Sequence, residues 1–85
     1  MQQQGQPIPL HAGNVEVSVS IGGVRIRMID GASGSVLGEF HLSHTIGKVT
    51  TIMLKRVLKE FEVNAGDIGI PMEMWERLKV APEDW

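Results

Sequence analysis

At 85 residues the chain holds one small domain, and folding alone at that size leaves little stability in reserve. It contains no cysteine, which excludes disulfide staples and thiolate chemistry and fits a reducing, cytoplasmic setting. A formal net charge of −2 argues against a general binder of nucleic acid or of membrane surfaces.

The charge is unevenly spread. Residues 1–59 carry six basic and three acidic side chains, and residues 60–85 carry two basic and seven acidic ones. A chain polar in this way can associate head to tail or pair its acidic end with a basic partner. No apolar run approaches the length needed to span a bilayer, so no membrane partner is expected. MQQQGQPIP has no basic residue and no apolar stretch, so a solvated tail is expected over 1–12 rather than a leader peptide. One domain is expected over 13–85.

VEVSVSIGGVRIRMID, residues 15–30, alternates apolar and polar side chains on either side of Gly22-Gly23. A Gly-Gly pair between two such runs signals a hairpin. A loop made of both glycines predicts Ile21 opposite Val24, Val19 opposite Ile26 and Val17 opposite Met28. GASGS, residues 31–35, is a second turn signal. As a five-residue loop it predicts Asp30 opposite Val36, Met28 opposite Gly38, Ile26 opposite Phe40 and Val24 opposite Leu42. The outer face then reads in rows: Glu16–Ile29–Leu37, Ser18–Arg27–Glu39 and Ser20–Arg25–His41. Arg27 is expected to pair with Glu39, while Arg25 lies beside His41 with no carboxylate in its row. Arg25, Arg27 and His41 as donors, with Ile29 and Leu37 as an apolar margin, form a candidate recognition face.

From Thr45 the period becomes helical: Ile46, Val49, Met53, Val57 and Phe61 recur at i, i+3, i+4 spacing. A helix is predicted over 45–63, capped by Ser43 or Thr45 and ended at Asn64-Ala65-Gly66. Ile52, Leu54 and Leu58 widen its apolar arc beyond what one sheet face covers, so they are candidate partner-binding residues. Lys48, Lys55 and Lys59, with Arg56, make a basic line along the helix. DIGIPMEMWERLKVAPEDW predicts a second helix over 71–80, with Pro71 at its first position, Met74, Trp75 and Leu78 facing inward, and Pro82 ending it. This segment is expected to fold over part of the wide arc.

Catalytic signatures are lacking: the sequence has no phosphate loop, no GxSxG and no HExxH. Glu39, His41 and His44 are metal-ligand types without the spacing of a defined site, so no metal or other cofactor is assigned. WERLKVAP faintly resembles the end of recognition helices in phage-repressor-like domains. Asp67, Glu73 and Glu76 would then face the phosphates, which counts against it. The expected fold is α+β: a three-stranded antiparallel meander packed on one face by a helix, with a short C-terminal helix. The expected role is a non-catalytic protein-interaction module, an assembly subunit, adaptor or small inhibitor with a possible homodimer. The alternative is nucleic-acid binding through Lys48, Lys55, Arg56 and Lys59.

Overall fold

In the computed structural model, residues 7–85 are described. The part of the expected tail over residues 1–6 lies outside them. The elements follow the order β1 (Asn14–Ser20), β2 (Gly23–Ile29), β3 (Val36–Leu42), α1 (His44–Ala65), α2 (Met72–Leu78) and a 3-10 turn (Pro82–Asp84). The strands form one antiparallel meander in sequence order, and the fold class is α+β. The chain divides into two compact units, one ending at Thr51 and the other running from Ile52 to Trp85.

In the first unit, the β2–β3 register agrees with the hydrophobic pattern: Val24 faces Leu42, Ile26 faces Phe40 and Met28 faces Gly38. The β1–β2 register differs from expectation. Ser20 faces Gly23, Val19 faces Val24, Val17 faces Ile26 and Val15 faces Met28. Ile21 and Gly22 make the turn, so Ile21 is expelled from the strand and fully exposed. The cause lies in the two glycines. A type I′ turn needs φ > 0 at both central residues, but of the pair only Gly23 takes a positive φ, 133°. Gly23 is instead the first residue of β2, where a Cβ would stand 2.5 Å from the carbonyl oxygen of Leu42. Relative to expectation, β1 slides by two residues. A shift of two returns every side chain to its own face, so the apolar pattern could not distinguish the two registers.

A second correction concerns the end of β2. Beyond Met28–Gly38 the ladder shifts, and Ile29 pairs with Val36. Leu37 becomes the extra residue of a β-bulge. Asp30, expected opposite Val36, instead organises the turn. Its Oδ2 accepts from Ser33 N (3.0 Å) and Ser33 Oγ (2.7 Å), and its carbonyl accepts from Gly34 N.

Ser43 caps α1, with its Oγ accepting from Ile46 N at 3.1 Å. The first turns of the helix lie against the apolar sheet face at Val24. Gly47 makes this possible, since a Cβ there would meet Val24 Cγ2 at 2.7 Å. Gly47 is the one buried residue among those described. Val15, Val17 and Val19, on the same face, stay 49%, 61% and 68% exposed.

In the second unit, Gly66 (φ 94°) ends α1 as its position predicts. Pro71 is not the first residue of α2 but the one before it, in extended conformation (ψ 147°). The helix stops at Leu78, short of Pro82, because Lys79 turns left-handed (φ 57°). Pro82 instead opens the final 3-10 turn.

Candidate interaction surfaces

The outer sheet face is arranged by the corrected register. Arg27 stands between Glu16 and Glu39, and Arg25 stands between Ser18 and His41. Arg27 Nε donates to Glu39 Oε1 at 2.7 Å, and its Nη1 lies 3.8 Å from Glu16 Oε1. The expected Arg27–Glu39 pair is therefore present, and the two-residue slide adds Glu16. The other oxygen of Glu39 meets His41 Nε2 at 2.7 Å. Bonds from Arg27 first and His41 second hold the Glu39 carboxyl below the usual carboxylate range. Arg25 is exposed and has no ion-pair partner among the described residues. It borders an open groove of about 440 Å³ with Ser18, Ser20, His41 and the hairpin turn. Ile29 and Leu37 do not form a margin in one row, because the bulge separates them. Both are half-buried.

Glu39, His41 and His44 do not converge. His44 Nε2 lies 2.7 Å from the Ser20 carbonyl oxygen at the start of α1. Among the described residues no cluster of three or more His, Cys, Asp or Glu side chains is placed to hold a metal ion.

On the helix, Ile52, Leu54 and Leu58 do not make one surface. Residues two apart on an α-helix point about 200° apart, so Ile52 and Leu54 look nearly opposite ways. Leu58 turns toward the C-terminal segment. With Ile68, Ile70, Trp75, Trp85 and Glu62 it lines an apolar groove of about 190 Å³. The segment thus folds over part of the arc, as expected. Glu62 ties it down: its Oε2 accepts from Ile68 N and its Oε1 from Trp85 Nε1, both at 2.9 Å. These bonds, the Trp85 one foremost, hold the Glu62 carboxyl below its ordinary range.

The basic line is partly used within the chain. Lys55 and Lys59 place their ammonium groups 5.9 and 5.3 Å from the centre of the Trp85 ring, and Arg56 lies 3.8 Å from Glu60. Lys48 is in neither arrangement. Glu62 and Trp85 are the residues that sequence reasoning missed. Their signal was the spacing of Lys55, Lys59 and Glu62, which puts three polar side chains beside Leu58 on one side of the helix.

No family model, no curated protein and no solved structure matches the chain. Among the described residues no helix is long and apolar enough to cross a membrane.

Proposed function

We propose that this chain is a non-catalytic protein-interaction module, working in the cytoplasm, whose folded surface is completed by another polypeptide. One observation carries the reading: among the described residues no large apolar side chain is buried. Monomeric proteins keep many apolar atoms at their surface, but in scattered or small patches. Here Val15, Val17 and Val19 line one sheet face and Phe40 joins them from β3. Stability at this size depends on removing such area from water at about 25 cal/mol per Å². Arg25, unpaired at the groove, supplies a donor for a partner's carboxylate or carbonyl.

The engagement of Lys55 and Lys59 with Trp85, and of Arg56 with Glu60, favours this reading over nucleic-acid binding. Phosphate contacts would compete with those interactions and face the acidic C-terminal segment.

Cross-linking mass spectrometry of the tagged chain, purified from cells that produce it naturally, tests the proposal. The expected result is a polypeptide at fixed stoichiometry, cross-linked to the sheet face or to α1, with any sheet cross-links lost from an Arg25→Ala, Val17→Ser variant. A folded chain purified without any protein partner, or one carrying only nuclease-sensitive nucleic acid, would overturn it.

A further inference from the structure

We propose that the polypeptide completing this surface at α1 is a second copy of the chain, packed antiparallel along the ridge Met53–Val57–Phe61. The inference rests on the interaction-module reading and names its partner.

The ridge is what the chain's own C-terminal segment leaves uncovered. Met53, Val57 and Phe61 recur every four residues, which makes a single ridge of the kind that packs into a facing helix. They are 55%, 46% and 57% exposed. Leu58 and Glu62, which contact the C-terminal segment, point roughly a third of a turn away from that ridge.

Charge identifies the occupant. Arg56 and Glu60 flank the ridge on one side, four residues apart, each with a side chain 66% exposed. A two-fold axis between antiparallel helices sets the same margin of both copies face to face, running in opposite directions. Centred at the level of Leu58, that symmetry brings Arg56 of each copy level with Glu60 of the partner subunit and leaves the two Arg56 about four residues' rise, ~6 Å, apart along the axis. The intrahelical pair can thus be exchanged for two pairs between copies. A parallel arrangement would set this charged margin against the apolar side of Leu54 instead. The margin is neutral as a whole, so it offers no net field for steering a charged foreign partner, but it complements itself.

Charge reversal on the full-length chain provides the test, because both positions are exposed and the helix tolerates either residue. In sedimentation at micromolar concentration the wild type is expected at the mass of two copies. Arg56→Glu alone and Glu60→Arg alone each set like charges across the axis and are expected to weaken the dimer about tenfold or more. An equimolar mixture of the two variants then pairs every Glu with an Arg, and a heterodimer is expected to recover wild-type affinity. Recovery in the mixture cannot come from charges within one helix, since each chain keeps its own like-charged pair.

A wild type sedimenting as one copy, or variants and mixture indistinguishable from a dimeric wild type, would overturn the proposal. If a one-copy wild type is nonetheless found cross-linked to a different protein, the second copy is wrong and the interaction-module reading stands. A one-copy wild type with no protein partner removes both.

Discussion

Glu62 shows how much one exposed side chain can organise. Its two oxygens each hold a donor from the C-terminal segment, the Ile68 amide and the Trp85 indole. A neutral carboxyl accepts these bonds less well, which is why its proton affinity is lowered. Because the folded value lies below the unfolded one, the stabilisation is complete above the ordinary glutamate value. It is lost as pH falls through the lowered one. The same sign holds for Glu39 between Arg27 and His41, and for Asp30 in the β2–β3 turn. In a Trp75→Phe background, Trp85 emission should therefore stay constant from neutral pH down to the ordinary glutamate range and shift to the red only below it. Glu62→Gln should show the shifted emission already at neutral pH, since an amide offers one acceptor where the carboxylate offers two. On the sheet, Arg25→Ala should leave the melting temperature nearly unchanged. Arg27→Ala should lower it, because it removes the cation that stands between Glu39 and Glu16.

Each element reflects a contest between local propensity and what it touches. Glycine in a helix costs roughly 1 kcal/mol against alanine, so Gly47→Ala would ordinarily stabilise. Here the added Cβ would stand 2.7 Å from Val24 Cγ2, so Gly47→Ala should lower the melting temperature. A compensating Val24→Ala should recover part of the loss, as thermal unfolding of both variants would show. Ser43→Ala removes the cap on Ile46 N and should cost about 1 kcal/mol. The helix period, its cap and the β2–β3 pairing from Val24 to Met28 were legible from residue order, because periodicity and turn chemistry agreed there; the bulge at Leu37 was not, because the Asp30–Ser33 turn sets it. The β1 register was not, since sliding by two residues keeps Val15, Val17 and Val19 on their face. In the observed register Gly23 opens β2 opposite Ser20, with the Leu42 carbonyl close on its other side. The Glu62–Trp85 bond was illegible because it joins residues 23 apart. Leu58 was legible as part of the apolar arc of the helix, but its place in a groove with Trp75 and Trp85 depends on how the chain returns after Gly66.

At the scale of the whole molecule, the large apolar side chains among the described residues all stay at least partly in water. Neither unit supplies a closed core of its own among the described residues, and no cysteine is present to staple either one. Association with a second copy would remove apolar area from water in a way that the net charge of −2 opposes only weakly at physiological salt. It would also tie folding to concentration, because whatever binds the folded state alone raises its stability by mass action. Thermal unfolding of the purified wild-type chain, followed by circular dichroism from nanomolar to high micromolar concentration, measures this directly. The melting temperature is predicted to rise steadily with chain concentration, and Arg56→Glu is predicted to melt lower at every concentration. A sharp, cooperative transition at the same temperature throughout would contradict it, showing that a single copy covers its own apolar surface.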